Sequence, residues 1–383
     1  MRTLLKNCRA VSPDFDSSGV SPLLRGDIIE RLVPRGETPP RADKIVDLEG
    51  MTAVPGFIDI HCHGRGGADF CDGTAEAFRI IGEGKLEEGV TSFLATAMTV
   101  SEARLMAAAA AAAEYMRRPS GARLLGLHLE GPFLNPARAG AQNPAFLRPP
   151  DLGLVDKVSS VCPVKIVSFS PELPGAEDFA RGLRKRGIVP SGAHSEADYE
   201  CFLAARAAGM RHLTHFCNVM TPLHHLKFGM VGGALRFSDI KTEIIADGVH
   251  LCDEMIELIF RVKSPGSVML ITDAVRAAAM PDGKYDLGGL EVTAKNGKVT
   301  LADGTVAGSA GQFHHCLKRA LKASGLPLSA VLKSCGLTQA RSLGVAGAGS
   351  LAPGSRADIT VLDENLTPRF VWVGGELKKG DIS

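Results

Sequence analysis

The sequence predicts an α/β fold, a (β/α)8 TIM barrel with a small β-sandwich domain formed by the N- and C-terminal segments. Three observations carry this. Eight short apolar runs with strand character follow one another between residues 56 and 272, and helix-like patterns lie between them. Residues 1–53 and 349–383 share a different texture of prolines, glycines and short alternating stretches. Near-continuous apolar strands separated by helices argue for a parallel sheet covered by helices. Eight such units favour a closed barrel over an open doubly wound sheet.

Taken in order, strands are expected at 56–61, 91–97, 124–130, 164–170, 188–191, 211–216, 242–246 and 268–272. Between them, 102–118 is an alanine-rich helix pattern with Ser101 as its N-cap. A second helix, 196–208, is closed by Gly209 at the C-cap position, and a third, 253–263, stops before Pro265. At the chain ends the first 53 residues hold strand-like pieces and no long helix. In the tail, 349–354 is turn-rich, and 357–362 and 370–373 alternate like strands. The barrel, 54–348, is therefore expected to be inserted into a β domain made of 1–53 and 349–383.

Composition narrows the functional classes. Apolar residues make up 45% of the chain, enough for a large core, and 43 Lys and Arg against 42 Asp and Glu leave no global field favouring nucleic acid or an anionic membrane. No apolar run approaches the roughly 18 residues of a membrane span, and residues 1–11 lack the hydrophobic stretch of a signal peptide. The nine cysteines are odd in number and scattered without a Cys-x-x-Cys pair, as expected of buried thiols in a reducing cytoplasm.

Chemistry gathers at the C-terminal ends of the expected strands, where catalytic groups sit in barrels of this kind. His61 and His63 end the first, Glu130 the third, His194 the fifth and His215 the sixth; the seventh runs into Asp247 and His250, and the eighth into Asp273. Residues two apart on a strand point to one face, so His61 and His63 project side by side. Ionisable groups at so many strand ends would cost desolvation unless they hold a metal or a substrate. Imidazole and carboxylate suit a borderline cation such as Zn2+. His61, His63, Glu130, His194 and His215 suffice for one ion, or for two bridged by Glu130. Asp273 is then the natural general base. His250 is placed to donate to a carbonyl oxygen, worth about 3 kcal/mol for one such donor. Other residues read more plainly. Cys62 faces away from its neighbours and packs, and His314 and His315 are ordinary helix positions. His128 either orients Glu130 or packs, and His224 belongs to the surface or to a substrate loop.

In order along the chain, the motifs are Pro55-Gly56-Phe57-Ile58-Asp59-Ile60-His61, His128-Leu129-Glu130-Gly131-Pro132-Phe133, Thr214-His215-Phe216-Cys217-Asn218-Val219-Met220, Asp247-Gly248-Val249-His250, Thr272-Asp273-Ala274 and Ala307-Gly308-Ser309. In these the chain resembles the N-acetylglucosamine-6-phosphate deacetylases of the amidohydrolase superfamily. The resemblance implies that Glu130, His194 and His215 are the main metal ligands, and that His61 and His63 complete a second site found in some members. It implies Asp273 as the catalytic acid/base and His250 as the residue polarising the acetyl carbonyl. It also implies one or two divalent ions, Zn2+ foremost, a homodimer, and hydrolysis of an N-acetyl amino sugar to acetate and a free amine. Ala141, Asn218, Val219 and Gly308 fall where the family binds the sugar, with Gln142, His225 and Lys227 beside them. Two departures stand out. Gln142 replaces a family histidine; an amide still hydrogen-bonds a hydroxyl but cannot become charged. Leu226 replaces the arginine that clamps the 6-phosphate, and the adjacent Lys227 offers a point charge without the bidentate fork. The alternative is a deacylase of another N-acyl substrate, such as a non-phosphorylated or sulfated amino sugar or an N-acyl amino acid. A cyclic amidase of the dihydroorotase type is disfavoured because no lysine ends a strand. A silent binding barrel is disfavoured because Asp273 and all five ligand candidates are present.

Overall fold

Eight strands pair in parallel and strictly in chain order in the computed structural model, which describes residues 1–38 and 40–381. They are β1 (Phe57–Asp59), β2 (Val90–Ala97), β3 (Arg123–Glu130), β4 (Val164–Phe169), β5 (Val189–Gly192), β6 (His212–Leu213), β7 (Lys241–Ile244) and β8 (Val268–Leu270). Every expected strand is present, some shorter than expected because their C-terminal residues turn off into the site. The helices between them are α1 (Ala75–Glu87), α2 (Glu102–Arg117), α3 (Leu152–Ser159), α4 (Ala176–Lys185), α5 (Tyr199–Ala208), α6 (Gly229–Arg236) and α7 (Asp253–Val262), with α8 (Phe313–Ser324) after β8. Ser101 caps α2 through a bond from Arg104 N, and Gly209 closes α5 at φ 114. The expected start of α5 at 196 moves to Tyr199, because the Asp198 side chain accepts from Cys201 N and caps the helix there.

Strands β1 and β8 are the two ends of the ladder, and polar groups close the seam between them. Asp273 N donates to His61 O at 2.9 Å, and His63 N to Ala274 O at 2.8 Å. Below these bonds, the Asp59 carboxylate accepts from Thr272 Oγ1 at 2.6 Å, from Thr272 N at 3.3 Å and from Lys85 Nζ at 2.8 Å, all fully buried. The strand bearing His61 and His63 is thereby tied to the strand bearing Asp273. Ile58, Leu94, Leu125, Ile166, Val189, Ile245 and Met269 form one apolar cluster with Ala340 of the helix Leu337–Leu343. A larger cluster fills the layer between strands and helices.

Both ends of the chain build two further sheets. One is four-stranded, from Arg2–Lys6, Val20–Arg25, Ile28–Pro34 and Lys44–Asp47; the other is six-stranded and joins Arg9–Ser12, Phe15–Ser17 and Thr52–Pro55 to Ile359–Leu362, Pro368–Val373 and Glu376–Lys379. Leu5, Leu24, Ile29 and Val46 of the first sheet share a buried core with Ala10, Ile359, Val361 and Trp372 of the second. Thr52–Pro55 runs across the expected division at residue 53 and pairs along its length within the six-stranded sheet, and the first barrel strand follows at Phe57.

One element was not expected. After β8 the chain forms a four-stranded antiparallel sheet, Gly283–Leu287, Leu290–Lys295, Lys298–Thr300 and Val306–Ser309. Two-residue turns make its first two hairpins, Gly288-Gly289 and Asn296-Gly297, all four residues at positive φ as such turns require; residues 301–305 make the third. No helix of the described residues is long and apolar enough to cross a membrane.

Candidate metal centre and substrate cleft

Two of the expected ligands and the expected base sit in backbone conformations that non-glycine residues rarely adopt: His194 at φ 46, His215 at φ 30 and Asp273 at φ 49. Each costs about 1–3 kcal/mol and persists only where neighbours over-determine it. Here they do. Ser170 Oγ donates to His194 O at 2.6 Å, Asn218 N to His215 O at 3.0 Å, and Ser309 N to Asp273 O at 2.8 Å.

The five expected ligands converge. Glu130 lies between two imidazole pairs and turns one oxygen to each. Its Oε1 is 2.9 Å from His215 Nε2 and 3.3 Å from His194 Nε2; its Oε2 is 3.0 Å from His63 Nε2 and 3.6 Å from His61 Nε2. Asp273 Oδ1 stands 3.2 Å from His63 Nε2 and 3.4 Å from His61 Nε2. Two donor groups compact enough for an ion result, Glu130–His194–His215 and His61–His63–Asp273.

The chemistry of this donor set fits a cation. His63 Nδ1 lies 3.2 Å from Thr96 O and His194 Nδ1 2.9 Å from Arg138 O. A carbonyl oxygen only accepts, so each Nδ1 carries the proton and each Nε2 presents a lone pair. Yet Nε2 of His61 is 3.3 Å from Nε2 of His63, and the His194 and His215 nitrogens are 3.1 Å apart. Ring nitrogens this close to one another and to carboxylate oxygens, with lone pairs of His63 and His194 aimed among them, suit a positive charge held between them. The ionisation of the site shows the same demand. Burial disfavours charged imidazole, but Glu130 and Asp273 raise His61 well above its ordinary value, and Asp273 and Glu130 raise His63 to about 9. Against its own burial, Glu130 is held well below the carboxylate range by His61, His194 and His215; His61 and His63 lower Asp273.

Around the ligands, His128 packs its ring edge-on to His61 with centroids 4.7 Å apart, bonding Ile60 O through Nδ1 and Ser168 Oγ through Nε2. Burial and the neighbouring His61 lower it to about 3, so it is a neutral packing residue that does not touch Glu130 through a hydrogen bond. Gln142 has more to do. Its Nε2 donates to Glu130 Oε2 at 2.7 Å and its Oε1 accepts from Thr99 N at 2.8 Å. His250 Nδ1 is 2.8 Å from Asp247 Oδ2, and this carboxylate raises the imidazole against the effect of burial.

The centre opens into a pocket of about 170 Å3. Ala141, Gln142, Asn218, Val219, His250, Asp273 and Gly308 line it together with His63, Glu130, His194 and His215. The sequence reading missed Met98, Val275, Leu287, Thr305 and Val306, which add an apolar wall. Three of these come from the unexpected hairpin sheet and its last turn, and the twin Gly-Gly and Asn-Gly turns were the signal for it. Two expected residues lie elsewhere. Lys227 borders a separate surface groove with Glu196, Asp198 and Tyr199, and His225 is exposed on the same loop and lines neither space. Leu226 points to solvent at 79% exposure. Val231 N donates to Thr221 O at 3.2 Å and Met230 N to Thr221 Oγ1 at 2.8 Å, which ties the start of this loop to the first turn of α6.

The model of the amidohydrolase family matches residues 52–379. The chain belongs to that family. Within it the relatives are deacetylases. The N-acetylglucosamine-6-phosphate deacetylase of Bacillus subtilis (strain 168) is 35% identical over 319 residues, 82% of this chain and 81% of that one. The N-acetylgalactosamine-6-phosphate deacetylase of Escherichia coli O157:H7 is also 35% identical, over 337 residues, 87% and 89% of the two chains. The crystal structure of the N-acetylglucosamine-6-phosphate deacetylase from Thermotoga maritima superposes with a TM-score of 0.89 at 34% identity, covering 99% of this chain and 100% of that one. The resemblance drawn from the motifs is borne out, as is the barrel with its terminal β-sheets. The amidohydrolase superfamily uses a divalent metal, and this chain carries donor groups for one.

Proposed function

We propose that the protein hydrolyses the N-acetyl group of an amino sugar with the help of a divalent metal, Zn2+ foremost, with N-acetylglucosamine 6-phosphate as substrate. The observation that carries this is Glu130, whose two oxygens are shared between two imidazole pairs with Asp273 at the pocket face. Glu130, His194 and His215 would hold one ion; His61 and His63, with Glu130, would hold a second. Such an ion supplies Lewis acidity to a water and to a carbonyl oxygen. The chain does the rest. Asp273, kept ionised by His61 and His63, accepts the proton of the attacking water and returns it to the leaving nitrogen as the C–N bond breaks. His250, oriented by Asp247, donates to the acetyl oxygen as negative charge develops there. Ala141, Asn218, Val219 and Gly308 position the sugar. The enzyme is proposed to be cytoplasmic and to act as a homodimer, the second reading supported by exposed Leu223, Leu226 and Phe228 on one loop.

A second reading keeps the reaction and drops the phosphate. Among the described residues no lysine or arginine lines the pocket, and Lys227 borders another groove. The deciding experiment measures acetate release by the zinc-loaded enzyme from N-acetylglucosamine, its 6-phosphate and its 6-sulfate. The first reading expects the 6-phosphate to lead in kcat/KM by about a hundredfold, roughly 3 kcal/mol of transition-state discrimination. Equal and poor rates for all three would overturn it in favour of another N-acyl substrate.

A further inference from the structure

Barrel interiors are filled by layers of Val, Ile and Leu, yet β7 places a glutamate there. Glu243 is fully buried, and its carboxylate meets the site from behind. Oε2 lies 3.0 Å from His61 Nδ1, on the side of the ring opposite the nitrogen that faces His63 and Asp273. Oε1 has no hydrogen-bond partner; His212 Nδ1, itself without a partner, lies 3.8 Å from it. Burying a carboxylate so sparsely satisfied is costly unless a positive charge answers it.

We propose that Glu243 is a positioning residue of the metal centre, one that fixes the proton of His61 on Nδ1 and lets the His61–His63 side hold a cation of its own. The proposal rests on the metal reading above and adds to it the group that decides whether one ion or two are retained. Three observations support it. An ionised carboxylate only accepts, so the 3.0 Å contact commits His61 Nδ1 as donor and leaves Nε2 free to ligate. His63 and His194 are oriented by neutral backbone carbonyls; His61 is oriented by a carboxylate, which makes it a more basic ligand. Of the two carboxylates beside His61 and His63, Glu130 is shared with His194 and His215, and Asp273 is the proposed base. Negative charge delivered through the His61 ring lets this side hold an ion without committing Asp273 to it. The neighbouring trio His61–His128–Glu243 is no separate site, because both ring nitrogens of His128 are engaged by Ile60 O and Ser168 Oγ.

The test strips the full-length protein of metal with a chelator and titrates wild type and Glu243→Gln with Zn2+ by calorimetry, with metal content counted after gel filtration. The expected result is two bound ions for wild type. Glu243→Gln is expected to keep one at unchanged affinity and to bind the other about 10–100-fold more weakly. Two ions at wild-type affinity in the variant would overturn the proposal, as would a single ion in wild type. Failure of wild type to bind any Zn2+ would instead remove the metal reading itself. Should the variant not fold, 15N NMR of histidine-labelled, zinc-loaded wild type reads the tautomer directly. A proton on His61 Nδ1 supports the proposal, and a proton on Nε2 overturns it.

Discussion

The Asp247–His250 pair shows how a single residue sets the working range of this site. Buried beside His250, Asp247 keeps the imidazole charged to higher pH than usual, and His250 keeps Asp247 ionised to lower pH. The stabilisation carried by His250 is complete below the ordinary imidazole value and lost as pH rises through its raised folded value. That carried by Asp247 is complete above the ordinary carboxylate value and lost as pH falls through its lowered one. Asp247→Asn removes the main support of charged His250, so the alkaline limb of the kcat/KM profile is expected to move to lower pH. An alkaline limb that stays in place would show that another group reports there. Most of this cleft was legible in the sequence, because the proposed ligands and the proposed base stand where strands run out into loops. Gln142 was read as a sugar contact on its place in a motif; it lines the pocket, but its amide is spent on Glu130 and Thr99. Glu243 was not read at all, since a lone glutamate in Lys241-Thr242-Glu243-Ile244 follows the ordinary alternation of a strand.

Among the elements, the hairpin sheet between β8 and α8 matters most and was least visible. Leu290–Lys295 alternates apolar and polar residues cleanly, but the barrel reading took every strand up to residue 272 and assigned none between β8 and α8. Its last strand, Val306–Ser309, anchors Asp273 through the bond from Ser309 N, and Gly308 lies under that bond at φ 71. A Cβ on Gly308 would fall 2.3 Å from Val275 Cγ1 and 3.0 Å from Asp273 O. Gly308→Ala is therefore expected to displace the Asp273 backbone, lowering kcat at least about tenfold and stability by about 1–3 kcal/mol. Steady-state rates and denaturant unfolding read both effects; full activity in a stably folded variant would mean that this strand does not hold the base in place.

At the scale of the whole molecule, the parallel barrel was legible because eight apolar runs alternate with helices. The shared terminal sheet was legible because head and tail have the same texture. The closing of the barrel was expected from the count of eight units, but the buried Asp59, Lys85 and Thr272 that tie β1 to β8 were not, since no pattern of residues marks them. Lys85→Met leaves Asp59 charged and unpaired in that seam, and the loss expected in urea unfolding of the metal-free protein is about 3–5 kcal/mol. A loss below about 1 kcal/mol would show that the seam is held by its backbone bonds alone. The central claim, that the strand ends of this barrel form a metal-dependent deacetylase centre with Asp273 as its base, is tested most directly by one comparison. Acetate release and bound metal are measured together for wild type and Asp273→Asn. The account predicts a kcat lowered about 10²–10⁴-fold with at least the Glu130–His194–His215 ion retained. Wild-type turnover by Asp273→Asn would contradict it.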